Sequence, residues 1–382
     1  MLPRRTLAFA LSAISLFMVS AGAAEQERAA RAEARPVPLV YMTDLYQPYC
    51  DPDDLWDLAT VYALAKQKRV RLLGIVLDSP LPPDRNGWVL WGAGDPAIVT
   101  IAQMNTVTDL PVPAVVGSSV SFGDVVHGGV PLAGPDRASV DFVLRTLRDS
   151  PEPVAITVVG SCRNVALAAC EDRELFAEKC RGIHLNVDTV RRHPGKPGYE
   201  GWNKALDPEA YLSLWTLPCP IYWLPCFEDP SRFEVCQFGT FWYFRQGDIL
   251  AHLAPQVQNC LLYGLTRDTN LNWLSQLRGT VDKSALERQG NFYRSMWCTA
   301  GLFHLGGLSV SREGQLMDMD DVPPEDALFA LRPISSVDLN ASGAERWDRS
   351  PPGAKRYVIQ ISDPKAYVEG MRQALRTLLE SL

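Results

Sequence analysis

Apolar runs and stretches with three- and four-residue periodicity alternate along most of the chain. Val37–Met42 is a continuous apolar run that stops at Thr43-Asp44, as a strand buried on both faces does. Asp54–Lys68 follows, with Leu55, Leu58, Ala59, Tyr62 and Ala65 recurring on a helical period. The same reading predicts strands over Val70–Leu77, Val112–Val116, Val154–Val159, Gly182–Val187 and Ile221–Leu224. Between them it predicts helices around Pro96–Met104 and over Asp136–Arg148, Asn164–Cys180 and Pro208–Trp215. Strand followed by helix, repeated, implies right-handed crossovers and a mostly parallel sheet flanked by helices. Past residue 225 the rhythm changes to helices at Asp248–Leu265 and Leu286–Leu305, then short strands at Ala330–Leu339 and Tyr357–Ile361. A last helix is expected at Pro364–Leu382. The expected fold is α/β over 37–225 with an α+β portion over 226–382 packed on it, one domain spanning 36–382.

The N-terminal residues do not fit that pattern. Arg4 and Arg5 precede a short apolar run, Leu7–Val19, and Ala21-Gly22-Ala23-Ala24 supplies small residues for cleavage. That is the layout of a signal peptide over residues 1–24, followed by a charged leader over 25–35. Export to a periplasm or the exterior is therefore expected, with no membrane attachment after cleavage. Nine cysteines make disulfides worth considering in such a compartment, but no C-x-x-C occurs, so neither a zinc ribbon nor a thioredoxin-like site is indicated. The formal net charge is −7, and no stretch concentrates Lys and Arg, which argues against nucleic acid as a partner.

Functional groups of a parallel sheet gather at the carboxyl ends of its strands. After the first strand come Asp44, Asp51, Asp53 and Asp54, within eleven residues at a strand end and a helix start. Clustered carboxylates repel one another without a cation and are what a hard cation such as Ca²⁺ requires. Helix capping accounts for Asp53 and Asp54 but leaves Asp44 unexplained. Asp78, Asn186, Asp188 and Glu228 lie at other strand ends and are further candidates. His304, inside an apolar helix, reads as a core residue; Trp202, Trp223, Trp242, Tyr243 and Trp297 could stack on a base or sugar, though most of them read as core. A phosphatase with Asp44 as nucleophile would want a second Asp at position 46, which is Tyr46, and no Gly-rich phosphate loop appears.

Several segments, in order, resemble inosine–uridine-preferring nucleoside hydrolases. They are the strand ending in Thr43-Asp44, Asp51-Pro52-Asp53-Asp54 opening a helix, and Leu72-Leu73-Gly74-Ile75. The run from Ala155 to Gly160 with Asn164 opening a helix, then Trp202-Asn203 and Asp207-Pro208-Glu209-Ala210, and the strand before Pro225, extend the likeness over about half the chain. The resemblance implies Ca²⁺-assisted hydrolysis of the N-glycosidic bond of a ribonucleoside or related ribosyl compound. By the same carry-over, Asp44 would be general base and metal ligand, Asp54 a metal ligand, and the main chain near Val159–Gly160 a carbonyl ligand. Asp53 and Asn203 would meet the ribose, with Asp78 and Asn186 further substrate-contacting candidates. A small-molecule nucleoside or sugar is the implied partner, and a homo-oligomer is allowed.

The late part of the pattern departs from that family. Its His-Asp, which opens a helix and completes the metal site, falls on Arg294–Ala300, a segment that holds no carboxylate. Asp326 is an alternative match but leads into an expected strand. A binding protein of altered specificity on the same scaffold is the second reading these departures support.

Overall fold

The computed structural model describes residues 35–47, 52–78, 95–187, 201–227, 233–334 and 355–382. The expected signal peptide, nearly all of the leader, and the candidates Asp51, Asp188 and Glu228 lie outside the described residues. The unit Val37–Leu382 is built on an eight-stranded sheet. In chain order the strands are β1 (Val37–Thr43), β2 (Val70–Leu77), β3 (Ala114–Val116), β4 (Val154–Val158), β5 (Cys180–Leu185), β6 (Ile221–Trp223), β7 (Phe329–Pro333) and β8 (Arg356–Ile361). Their order across the sheet is β7-β8-β6-β5-β4-β1-β2-β3, and every neighbouring pair is parallel except β7 with β8.

β1 is buried from Pro38 onward, because both of its faces are covered. Leu39 and Tyr41 pack into the core shared with helix α1 (Pro52–Lys66), while Val40 and Met42 point into the opposite core with Val143, Leu144 and Val165. α1 starts at Pro52, a residue suited to the first helical position, with Asp53 and Asp54 in its positive first turn. It is buried from Asp54 through Leu64 because the C-terminal portion closes over it. That cover includes α2 (Thr299–Leu305) and α3 (Pro364–Leu379), whose N-cap Asp363 accepts from the Lys365 and Ala366 main-chain N–H groups. Among the described residues no helix is long and apolar enough to cross a membrane.

Three expected helices are divided. Asn164–Cys180 breaks at Asp172, whose side chain accepts from Leu175 N and caps a second helix, Arg173–Lys179. Asp248–Leu265 becomes Gly247–Leu250 and Pro255–Leu265, since Pro255 cannot donate within a continuous helix. Leu286–Leu305 is the larger correction. It is a helix over Lys283–Gly290, a strand over Tyr293–Met296 and then α2, and the strand pairs antiparallel with Trp242–Arg245. A partner fifty residues away decides that conformation, and local periodicity carries no trace of it.

Two buried polar groups hold the sheet to its surroundings. Arg163, opening helix α4 (Arg163–Glu171), donates from Nε to Asp207 Oδ2 at 2.9 Å, from Nη1 to Ser118 O at 2.8 Å and from Nη2 to Leu206 O at 2.9 Å. Asp207 also accepts from Phe122 N at 2.9 Å and Ala210 N at 3.2 Å, so one ion pair ties three chain segments together. On the other side, His184 Nε2 on β5 lies 3.1 Å from His304 Nδ1 on α2, and Tyr222 stacks on His184 with ring centroids 4.6 Å apart.

Burial depresses both imidazoles, His184 well below the usual histidine range and His304 to about 4. The pair is neutral when folded, and each ring takes a proton more readily in the unfolded chain. Its contribution to stability is full above about 6.5 and is lost as pH falls toward 4. For His304 the loss is at most about 3 kcal/mol, less for the part of the ring that water reaches. Urea unfolding of the wild type and His304→Gln between pH 7 and pH 4 checks this, on the order of one measurement per half unit. The wild type is expected to lose stability faster as the pH falls, and parallel curves would contradict the assignment.

Candidate functional site

β2 and β3 extend the sheet away from one side of β1, and β4 returns to its other side. The strand order therefore reverses between β1 and β4, where a crevice opens beyond the carboxyl ends of the strands. Asp44 follows β1 and Val159 follows β4, and both line one pocket. Asp53 and Asp54 enter it from the first turn of α1, Asn186 from the end of β5, and Trp202 and Asn203 from the short helix Trp202–Leu206. Cys226 and Phe227 beyond β6, Phe233, and Trp297 with Cys298 at the start of α2 complete the wall.

The polar groups in this pocket are fixed by one another. Trp202 Nε1 donates to Asp44 Oδ2 at 2.7 Å. Thr43 Oγ1 donates to Asp54 Oδ2 and accepts from Leu45 N. Asn203 Nδ2 donates to Val159 O at 2.9 Å and to Asn186 O at 2.8 Å, joining the ends of β4 and β5. Asn186 spends its own amide within the protein. Nδ2 donates to Leu224 O at 2.9 Å, and Oδ1 accepts from Cys298 Sγ at 3.0 Å.

Asp78 does not line the pocket. Ser161 N and Asn164 Nδ2 donate to its carboxyl at 2.6 and 2.9 Å, behind the Gly160 turn. A Cβ at Gly160 would lie 2.5 Å from Asp78 Oδ2 and 2.7 Å from Asp44 N, so only glycine lets that turn pass between the two acids. Burial, and then the Asp44 charge, push Asp78 up to about 8. Its place is that of a support for the turn.

Of the residues singled out from sequence, Asp44, Asp53, Asp54, Val159, Asn186 and Asn203 come together here. Trp202 and Trp297, two of the aromatics considered for stacking, are here as well, whereas Phe227, Phe233 and the thiols carried no comparable local signal. Phe227 and Phe233 have centroids 4.7 Å apart, with Trp297 5.9 and 6.4 Å from them, and Phe233 is 70% exposed, so this cluster forms the mouth. Cys298 was legible only as the residue in the segment matched to a late His-Asp, and that segment does reach the pocket. Among the described residues the lining carboxylates all come from the N-terminal half, and Asp326 is not one of them.

A second group sits beneath the first. Asp57 is one helical turn after Asp54 and accepts from Thr299 Oγ1 at 2.9 Å. One ligand atom from each of Asp54, Asp57 and Cys298 lies within 4.8 Å of the others, and all three residues are buried. Burial, followed by the charges of Asp57, Asp54 and Asp53, holds the Cys298 thiol protonated in the absence of a cation. These three side chains could together hold a metal ion.

No family model and no curated protein matches the chain. Solved structures do. The effector protein XOO4466 superposes with a TM-score of 0.51 at 16% identity, covering 91% of this chain and 94% of that one, so the two share a fold. An inosine-uridine preferring nucleoside hydrolase from Bacillus anthracis matches with a TM-score of 0.47 at 12% identity, over 91% of this chain and 100% of the other. A purine-preferring ribonucleoside hydrolase from Gardnerella vaginalis gives 0.47 and 13%, over 90% and 99%.

Proposed function

We propose that the protein hydrolyses the N-glycosidic bond of a ribonucleoside or related ribosyl compound, in the exported compartment its leader implies. The observation that carries this reading is the convergence of Asp44, Asp53 and Asp54 with an aromatic mouth at the point where the strand order reverses. Cleavage of such a bond builds positive charge on the sugar, which nearby carboxylates stabilise, and needs a water deprotonated for attack. Asp44, oriented by the Trp202 indole, would take that proton. Asp53, less buried than Asp54, would accept from ribose hydroxyls, and Phe227, Phe233 and Trp297 offer faces for a base to stack on.

The oxygen-rich sphere that Ca²⁺ requires is not what the deep cluster offers. Asp44, Asp54 and the Val159 carbonyl line the pocket, but the group contributed by the late helix is the Cys298 thiol. The residues therefore do not fit calcium, and no step is drawn through it. The same thiol favours the second reading, a nucleoside- or sugar-binding protein without turnover.

Incubating the full chain with a panel of ribonucleosides, with and without added divalent cations, separates the two. Release of free base and reducing sugar supports hydrolysis. Saturable nucleoside binding without release establishes the binding reading, and neither would remove the site from nucleoside chemistry.

A further inference from the structure

The acidic and sulfur groups at the pocket floor, Asp54 and Cys298 in its lining and Asp57 behind them, have a chemistry of their own. α1 brings Asp54 and Asp57 to one side, three residues apart, and the N-terminus of α2 brings Cys298 to the same place from the far end of the chain. Their ligand atoms lie within 4.8 Å of one another, the spacing of groups around a single cation with bonds of about 2.0–2.3 Å. We propose that Asp54, Asp57 and Cys298 bind one thiophilic divalent cation of the zinc class, in preference to calcium. This rests on the cluster itself and not on the hydrolytic reading.

Three observations converge on it. First, the donor set is mixed: a thiolate with two carboxylates suits zinc, cobalt or cadmium, whereas calcium takes only oxygen. Second, both carboxylates are already oriented by a hydroxyl donor, Asp54 by Thr43 and Asp57 by Thr299. Outer partners of this kind are what fix metal ligands in place. Third, the fully buried Tyr41 hydroxyl, on the strand facing α1, has no hydrogen-bond partner among the described residues. It is close enough to Asp54, Asp57 and Cys298 to feel their charges, and it also interacts with the Thr43 hydroxyl, which itself donates to Asp54. A buried phenol in that position is a donor for a water or anion completing the coordination of a bound ion.

Binding forms a metal–sulfur bond and releases the thiol proton to solvent; no oxidant or reductant is involved. The site shares Asp54 with the one implied by resemblance but takes Asp57 and Cys298 in place of Asp44 and the Val159 carbonyl, and so differs in preference. Asp57 takes the place of a late carboxylate by standing one turn further along α1, and sulfur stands where an oxygen donor was expected.

The test uses the full chain stripped with chelator and titrated with Cd²⁺ and Co²⁺, reading near-ultraviolet sulfur-to-metal charge transfer. Other thiols can also bind these ions, so the comparison is with Cys298→Ser and Asp57→Asn, both checked for a native circular dichroism spectrum. One equivalent of thiolate-coordinated metal is expected in the wild type. Cys298→Ser should lose that band, and Asp57→Asn should bind about ten- to a hundredfold more weakly, as loss of a ligating or supporting group does. Calcium at a hundredfold excess, on the order of what hard-cation selectivity would require, should leave the band in place. An undiminished band in Cys298→Ser, or displacement by calcium, overturns the proposal. So does the absence of any band in the wild type. Should Cys298→Ser prove misfolded, Asp57→Asn alone decides: affinity equal to the wild type places the metal elsewhere.

Discussion

Arg163→Met is expected to destabilise the fold by about 3–5 kcal/mol, the cost of leaving one member of a buried ion pair without its partner. Arg163 and Asp207 are 2% and 3% exposed and 2.9 Å apart, so water cannot replace the guanidinium. Methionine fills much of the volume, but it returns none of the donors that Ser118 O, Leu206 O and Asp207 lose. In a domain of this size the thermal midpoint should fall by roughly 4–7 °C. Replacing both partners, Arg163→Met with Asp207→Leu, should cost less than the sum of the single changes, because no charge then stays buried alone. Thermal unfolding of the three variants reads this directly. A single-variant loss below about 1 kcal/mol, the level of an exposed pair, would mean that the pair is hydrated in solution.

Asp44→Asn should reduce nucleoside hydrolysis by about 10²- to 10⁴-fold, the contribution of a positioned base. The amide keeps the shape of the carboxylate, and its oxygen can still accept from Trp202 Nε1, so the thermal midpoint should hardly move. Loss of rate without loss of stability is what separates a base from a structural group. If the role lies in proton transfer, the decrease falls on kcat and kcat/KM together, whereas a purely positioning role raises KM. Full activity in the variant would transfer the base function to Asp53, the one lining carboxylate among the described residues that is only partly buried.

The sheet was legible because parallel strands buried on both faces read as unbroken apolar runs. Val70–Leu77 has the bounds expected of it, and β1 differs by one residue. Elements set by distant partners were not legible, as the strand hidden in Leu286–Leu305 shows. The upper site followed the same logic. Asp44, Asp53 and Asp54 announce themselves by crowding along the chain, and Asn186 and Asn203 by standing at a strand end and in a motif-like dipeptide. Asp78 sat at a strand end too, but it points behind the turn, a distinction made by the Gly160 backbone and not by spacing. Asp57 was not legible because it lies within a helix that is buried on every side from Asp54 to Leu64, so nothing in its spacing marks it out. Cys298 meets it across more than two hundred residues of chain, and only the packing of α2 on α1 brings them together.

The two outer strands of the sheet limit how copies of this chain can associate. β3 at one edge has three residues, and β7 at the other has five and ends in Pro333, which has no N–H to offer a further strand. Both edges are poor templates for another backbone, so the sheet resists growth by strand addition. Among the described residues, assembly of copies is then better served by side chains on helices and loops than by the central sheet, and can be altered there without disturbing the sheet that holds the pocket.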